Sequence, residues 1–164
     1  MENPYAHCLG DRDPVKVMAA TPSIVYAHIA PLLADQAGLA RLNQPPAPGK
    51  WSLREILAHL ADCEIAFGFR LRQALAGPIT AQPFDQDLWA KHYAPCDAPT
   101  ALSTYVTLRN WNMLLIQSLG ADDLAAPYTH PELGTGIVRD LLEVIAGHDL
   151  NHLERLGPLL AAPK

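Results

Sequence analysis

Apolar residues recur at helical spacing in four long segments of the chain, and proline and glycine separate these segments. The first segment begins at Asp13, a good N-cap residue, with Pro14 in the first helical position. Its apolar pattern continues to about Leu42, but Pro22 and Pro31 lie inside it. Because proline removes a backbone donor and its ring crowds the preceding turn, we expect this segment to be kinked or broken into pieces.

The second segment has the clearest start of the four. It follows a proline-rich connector at residues 43–50, and its Ser52 and Glu55 have the spacing of a capping box. Trp51 stands in front of the cap as a candidate hydrophobic staple. The pair Gly77-Pro78 ends the apolar pattern, so the sequence predicts a long helix from Ser52 to that pair.

The third and fourth segments are bounded by similar signals. The third begins near Asp97 or Thr100 and runs to Gly120. The fourth begins after Gly136 and is expected to end near Gly157-Pro158. Between the second and third segments, residues 78–96 form the longest irregular connection.

That connection carries the aromatic residues Phe84, Trp89 and Tyr93. Long loops of this kind are typically lids or crossovers. Two interpretations stay open: the aromatic side chains close over a site, or they pack across one end of the helices.

The chain shows no alternating pattern of apolar and polar residues of any length, which excludes a β-rich fold. Four long amphipathic helices with polar outer faces favour an all-α four-helix bundle. We expect residues 1–12 to be an N-terminal tail and residues 13–164 to be a single domain.

Charge and composition narrow the class of partner. The net charge is −5 and no basic run occurs, which argues against nucleic acid as a partner. No apolar stretch is long enough to span a bilayer, so we expect no membrane association and a cytoplasmic protein. Cys8, Cys63 and Cys96 are an odd number without CxxC spacing and indicate reduced thiols.

His148 and His152 are the strongest chemical signal in the sequence. Residues four apart on a helix stand one turn apart on one face, so two imidazoles there can chelate one ion. Such a pair also arises by chance, and a metal site needs a further ligand from a facing helix. Four other histidines are candidates for that ligand: His28, His59, His92 and His130.

His59 lies in the middle of the second helix, at the flank of its apolar face. Taken alone, it would be interpreted as a half-buried histidine with one hydrogen bond. His130, which precedes a proline, is expected to cap or hydrogen-bond locally.

Two stretches resemble the signatures of the DinB/YfiT-like superfamily. The first is residues 49–64, Gly-Lys-Trp-Ser-Leu-Arg-Glu-Ile-Leu-Ala-His-Leu-Ala-Asp-Cys-Glu. The second comprises residues 130–134, 139–142 and 146–153, which ends in Gly-His-Asp-Leu-Asn-His-Leu. The order and spacing match over nearly the whole chain, from about Asp13 to Leu160.

The resemblance implies a four-helix bundle in which a long crossover links the second and third helices. It also implies a divalent metal ion held by three histidines, which correspond to His59, His148 and His152. Such a site leaves coordination positions for water or substrate, and imidazole nitrogen suits both nickel and zinc. No Glu-x-x-His motif occurs in the chain, which argues against a di-iron carboxylate protein.

Four further residues carry alternative interpretations. Asp149 stands where an H-E-x-x-H zinc-protease motif has its catalytic glutamate. Because aspartate is a shorter carboxylate, we favour a role in pairing with a neighbouring group or helix over a catalytic role. Glu64 and Arg109 lie on apolar faces, and buried charges must be paired, so we expect an ion pair of Arg109 with Glu64 or Asp149. Cys63 is one turn after His59 and is either a metal ligand or, as we favour, a small core residue.

The resemblance does not fix a reaction, since relatives include thiol S-transferases and metal-dependent hydrolases. We expect a divalent-metal-dependent enzyme, a thiol S-transferase or a hydrolase, that acts on a small electrophilic substrate, with a low-molecular-weight thiol as a candidate cofactor. The alternative is a non-catalytic dimeric metal-binding bundle with a stress-response or ligand-binding role. As relatives often form homodimers, we expect a homodimer here as well.

Overall fold

A computed structural model describes the backbone of residues 1–161 and the side chains of residues 1–157. Residues 162–164, which belong to the expected domain, lie outside the described residues. The helices are α1 Ala6–Leu9, α2 Pro14–Ile29, α3 Gln36–Asn43, α4 Leu53–Ala76, α5 Gln86–Ala90, α6 Ala98–Ile116, α7 Ala121–Leu124 and α8 Val138–Ala161. A 3₁₀ turn at Ala30–Leu33 links α2 to α3.

The four long helices α2, α4, α6 and α8 form a four-helix bundle, as the sequence predicts. Helix α2 packs against α6 and α8, and α4 packs against the same two helices. The connection from α4 to α6 is the long crossover, and it carries α5. None of the helices within the described residues is both long and apolar enough to cross a membrane.

The core of the bundle is divided into two apolar clusters with polar residues between them. One cluster contains Ile29, Leu57 and Tyr105, and the other contains Phe67 and Leu141. Along each long helix, buried polar side chains lie between the residues of one cluster and the residues of the other. They are Thr21 on α2, Glu64 on α4, Arg109 and Asn112 on α6, and His148, Asp149 and His152 on α8. The fold therefore places a polar layer inside the bundle.

The two prolines of the first segment behave differently from each other. Pro31 lies where the α-helix gives way to the 3₁₀ turn, so the expected break is found there. Pro22 lies inside the continuous helix α2. Proline has no N–H to donate to the carbonyl four residues earlier, and that carbonyl, of Met18, accepts a hydrogen bond of 3.0 Å from Arg109 Nη1 instead.

The predicted helix starts are confirmed. The Ser52 N–H donates to Glu55 Oε2 at 2.7 Å, and the Glu55 N–H donates to Ser52 Oγ at 3.3 Å, which completes the capping box. Asp97 caps α6 by accepting a bond of 2.8 Å from the Thr100 N–H.

Two predicted helix ends are wrong by about one turn. Helix α6 ends at Ile116, before Gly120, because the backbone turns there and the Leu119 N–H donates to the carbonyl of Ile116. Helix α8 continues through Gly157-Pro158 to Ala161. The carbonyl that loses its donor at Pro158 belongs to Glu154, which is exposed and can be hydrated.

A small three-stranded sheet lies beside the helices, although the sequence predicts no strand. Its strands are β1 Ile79–Thr80, β2 Pro127–His130 and β3 Gly134–Ile137. Strand β1 pairs with β2 in parallel, and β2 pairs with β3 in antiparallel orientation. His130 ends β2, and its Nδ1 accepts bonds of 3.2 Å from the N–H groups of Glu132 and Leu133, which confirms its expected local role.

The first twelve residues, expected to be a tail, are folded against the domain. Helix α1 packs on α8, and Cys8 and Leu9 are buried. Gly147 on α8 makes this contact possible, because a Cβ there would lie 2.6 Å from Tyr5 Cβ and 2.7 Å from the Tyr5 carbonyl oxygen. A short helix held by tertiary packing has too few residues for a periodic signal.

Candidate metal centre

The three histidines singled out in the sequence meet in one place. His59 comes from the middle of α4, and His148 and His152 come from successive turns of α8. Nε2 of His148 lies 3.2 Å from Nε2 of His59 and 3.0 Å from Nε2 of His152. The helix pair α4–α8 therefore brings the His59 nitrogen next to those of two histidines about 90 residues later in the chain.

All three rings are withdrawn from water. The exposed fractions of His59, His148 and His152 are 1%, 9% and 7%. Burial lowers the pKa of His59 to about 4 and, with the neighbouring His59 and Arg155, lowers that of His152 to about 3. Burial and the other two histidines hold the pKa of His148 well below its usual range. The three rings are therefore neutral at pH 7 and can each offer a lone pair.

Hydrogen bonding leaves this cluster incompletely satisfied. An imidazole nitrogen carries either one N–H or one lone pair, so Nε2 of His148 can complete a hydrogen bond with only one of its two neighbours. Among the described residues, Nδ1 of His152 is buried without a partner. Buried polar groups normally find partners, so this cluster fits an occupant that accepts several lone pairs.

Cys63 adjoins the histidines. It lies one turn after His59 on α4, and its Sγ is 3.5 Å from His59 Nε2. Burial, reinforced by nearby Glu64 and Asp149, raises the pKa of the thiol. Ligand atoms of His59, Cys63 and His148 all lie within 4.8 Å of one another, which is close enough for one metal ion. The partly buried Cys63 side chain therefore lies at the site.

A second polar cluster lies directly beside the histidines and confirms the expected ion pair of Arg109. Arg109 pairs with both Glu64 and Asp149, whereas the sequence predicts one or the other. Arg109 Nη2 donates to Glu64 Oε1 at 2.6 Å and to Asp149 Oδ1 at 3.0 Å, and Nη1 donates to Asp149 Oδ2 at 2.5 Å. Asn112 Nδ2 donates to Glu64 Oε2 at 3.0 Å. Each of the three charged side chains is 1% exposed.

These contacts bear on Asp149, the candidate catalytic residue. Both of its oxygens accept hydrogen bonds from Arg109, and burial raises its pKa while Arg109 lowers it. Its neighbour in the chain, His148, belongs to the histidine cluster. The geometry favours the pairing role over catalysis, because Asp149 fixes α8 to α6 next to the histidine.

A pocket of about 750 Å³ opens beside His148 and His152. Tyr5 and Trp51 supply aromatic walls: the Tyr5 ring packs edge-on against His148 at 5.4 Å, and the Trp51 ring lies 4.9 Å from His59. The charged side chains that line the pocket are Lys50, Asp87, Glu154 and Arg155. The site can therefore receive a small molecule.

Two of the three aromatic residues of the crossover lie on the side of His59, and the third lies in the core. The Phe84 ring is stacked on His59 at 6.5 Å and covers one side of the histidine cluster, and the Trp89 ring packs against Phe84 at 4.6 Å. Tyr93 is buried in the core and contacts Trp51. Trp51, the candidate staple of α4, contacts the site through His59.

Tyr5 is the site residue that the sequence reasoning missed. It precedes a helix of only four residues, which no periodicity could identify. The one available signal was Gly147 beside His148, since a glycine inside a helix suggests close approach of another backbone.

The chain is similar to several known proteins. It is 28% identical over 116 residues to a protein of Oceanobacillus iheyensis, a match that covers 68% of this chain and 66% of that protein, about two thirds of its length. It is 28% identical over 133 residues to a protein of Bacillus pumilus, covering 78% of this chain and 75% of that one. Both relatives bear the name of a candidate metal-dependent hydrolase.

A solved structure and a family model complete the comparison. YfiT from Bacillus subtilis, described as a candidate metal-dependent hydrolase with an unusual four-helix-bundle topology, matches with a TM-score of 0.76 and 19% identity. This match covers 89% of this chain and 83% of YfiT and shows a common fold. The model of the DinB superfamily matches residues 27–156, most of the chain. The protein therefore belongs to the DinB superfamily.

Proposed function

We propose that this protein is a divalent-metal-dependent enzyme that acts on a small electrophilic substrate, with His59, His148 and His152 as the protein ligands of the ion. The observation that carries the proposal is the row of three Nε2 atoms with neighbouring separations of 3.2 and 3.0 Å. The names of the relatives from Oceanobacillus iheyensis and Bacillus pumilus support it.

The donor set fits nickel or zinc. Three neutral imidazoles offer nitrogen lone pairs, which both ions accept. Their low pKa values mean that protons compete weakly with the ion at neutral pH. A divalent ion held in this way lowers the pKa of a bound water or thiol and supplies a nucleophile at pH 7.

The pocket residues would bind and orient the substrate. Lys50 and Arg155 suit an anionic group, while Trp51 and Tyr5 suit a planar or apolar part. Phe84 and Trp89 exclude water from the side of His59. Asp87 and Glu154 are the carboxylates at the pocket wall that could hold a proton during the reaction.

Hydrolysis and thiol transfer differ in the nucleophile and are both compatible with this pocket. Hydrolysis is our first choice, because it is the activity in the names of the relatives. Thiol transfer is favoured by Lys50 and Arg155, since glutathione and bacillithiol carry carboxylates that these cations would bind. The low-molecular-weight thiol is then a second substrate in the same pocket.

Elemental analysis of protein purified without a histidine tag tests the proposal. We expect about one nickel or zinc ion per chain, lost in a His148→Ala, His152→Ala double variant and kept in a matched His28→Ala, His92→Ala variant of two exposed histidines. Turnover of an ester and amide panel, or of a thiol with a chlorinated aromatic acceptor, should disappear with chelator. No bound ion after incubation with both metals would contradict the proposal.

A non-catalytic dimeric bundle is the second candidate. Large apolar side chains are exposed on the adjacent helices α4 and α6, among them Ile65, Phe69, Trp111 and Leu114. Such a face supports pairing with a second copy of the chain. Ion binding without turnover in any assay would favour this candidate. Sedimentation should then show a dimer that Trp111→Lys dissociates, and a monomeric wild type would exclude it.

A further inference from the structure

Cys63 lies at the histidine cluster and has no role in the proposed function. It stands one turn after His59 on α4, and its sulfur lies 3.5 Å from His59 Nε2 and 3.8 Å from His59 Nδ1. Its sulfur and nitrogen atoms of His59 and His148 all lie within 4.8 Å of one another. Two of these three residues are buried and Cys63 is partly buried.

Three of the distances among these ligand atoms are close to the edges of a tetrahedral site. With zinc–nitrogen bonds of about 2.0–2.1 Å and a zinc–sulfur bond of about 2.3 Å, neighbouring nitrogens should be about 3.3 Å apart and nitrogen and sulfur about 3.6 Å apart. The histidine nitrogens are separated by 3.2 and 3.0 Å, and nitrogen and sulfur by 3.5 Å.

We propose that Cys63 Sγ is a fourth protein ligand of the ion, so that the resting site is a three-histidine, one-cysteine set. This inference rests on the metal site proposed above and extends it. Coordination forms a bond from sulfur to the ion while the S–H proton leaves to water, so one proton is released for each ion bound.

A cysteine as fourth ligand would determine which ion the site prefers. Thiolate is a soft ligand that suits zinc, so the set selects zinc over nickel. The pocket beside His148 and His152 is the route by which water or substrate would reach the ion. Cys63→Ser should therefore weaken zinc binding more than nickel binding, by about tenfold or more.

Cobalt(II) is the probe that tests the sulfur directly. In wild-type protein loaded with Co²⁺, we expect the d–d bands of a low-coordinate ion together with an intense thiolate-to-cobalt charge-transfer band in the near ultraviolet. Cys63→Ser should keep the d–d bands and lose the charge-transfer band. Cys96→Ser, which alters another partly buried thiol outside the cluster, should keep both.

Alkylation of wild-type protein gives an independent measurement if Cys63→Ser fails to fold. With iodoacetamide and mass spectrometry of peptides, added Zn²⁺ should protect Cys63 at least tenfold and leave Cys96 unchanged. Equal alkylation of Cys63 with and without bound ion would overturn the inference.

The two proposals fail in different ways. If Co²⁺ binds stoichiometrically and His148→Ala abolishes binding, but the charge-transfer band is absent, Cys63 is not a ligand and the three-histidine site stands. If no Co²⁺, Zn²⁺ or Ni²⁺ binds at all, the proposed function fails and this inference fails with it.

Discussion

The bundle contains two buried polar clusters that share the helices α4 and α8 and satisfy their polar groups differently. In the ion cluster of Glu64, Arg109 and Asp149, carboxylate oxygens face guanidinium N–H groups at 2.5–3.0 Å. In the histidine cluster of His59, His148 and His152, like atoms face one another at 3.0 and 3.2 Å. One cluster is largely complete within the chain, and the other is not.

Under the proposed function, this difference separates a structural role from a metal-binding one. Buried charges that find partners of opposite sign fix the packing of the helices that carry them. Three neutral imidazoles with converging nitrogens gain little from one another, and under the proposed function they bind an ion from outside the chain. His148 and Asp149 are adjacent on α8, so under the proposed function one helix turn serves both purposes.

The largest effect should come from breaking the ion cluster. Arg109→Met leaves Glu64 and Asp149 buried without a cation and frees the carbonyl of Met18. We expect the free energy of unfolding to fall by about 3–5 kcal/mol, as for other buried ion pairs that lose one partner. Urea denaturation measures it, with the exposed Arg139→Met as the control, where the change should stay within about 0.5 kcal/mol.

The histidine cluster should instead make stability depend on pH in the metal-free protein. The folded pKa of His59 is about 4, below its ordinary value of 6.5, so the unfolded chain binds more protons between these values. The free energy of unfolding is therefore highest above pH 6.5 and falls as the pH drops towards 4, by about 3 kcal/mol for this residue. Denaturation with chelator at pH 7 and pH 5 should show a smaller loss in His59→Gln than in wild type.

The matched control for that experiment is His92→Gln at an exposed histidine, which should keep the wild-type loss. Equal losses in His59→Gln and wild type would mean that His59 is protonated in the folded protein, contrary to its burial.

Adding the ion should complete the histidine cluster and leave the ion cluster untouched. A ligand at 100 times its dissociation constant stabilises the folded state by about 2.7 kcal/mol. We expect Zn²⁺ or Ni²⁺ to raise the Tm of wild type and of His92→Ala, and to leave the Tm of His148→Ala unchanged. Differential scanning calorimetry measures this, and an equal rise in His148→Ala would place the ion elsewhere.

Both clusters could be predicted from the sequence, because each consists of polar residues on faces that are otherwise apolar. The spacing of His148 and His152 and the placement of Glu64 and Arg109 are local properties of helices. The resemblance to the DinB superfamily supplied His59. Spacing does not say which carboxylate meets Arg109, and the structure shows that both do.

The features that could not be predicted depend on contacts distant in the chain. Pro22 is accommodated in α2 because Arg109, 91 residues after Met18, bonds the carbonyl that the proline leaves free. The strand β1 has two residues and pairs with β2 only after the crossover folds back. The N-terminal segment is ordered by α8, and its own sequence gives no periodic signal.

The smallest effect should come from substitutions at two glycines of α8, Gly147 and Gly157. They test which parts of the chain enclose each cluster. The ion cluster lies among bundle helices, whereas the N-terminal segment bounds the histidine cluster through Tyr5. Gly147→Ala would place a Cβ 2.7 Å from the Tyr5 carbonyl oxygen, which is backbone and cannot rotate away. We expect the segment to detach, with faster proteolysis within residues 1–12 and faster metal exchange with a chelator.

Helix propensity partly offsets the stability that Gly147→Ala loses through this clash, because alanine is favoured over glycine in a helix by about 1 kcal/mol. At Gly157 a Cβ meets nothing within 4 Å, so Gly157→Ala should gain this energy without a cost. The two substitutions are the same chemical change on one helix. Gly147→Ala should lower the free energy of unfolding, and Gly157→Ala should raise it. If Gly147→Ala also stabilised the protein and left proteolysis unchanged, the N-terminal segment would not bound the site, and both clusters would be enclosed by the bundle alone.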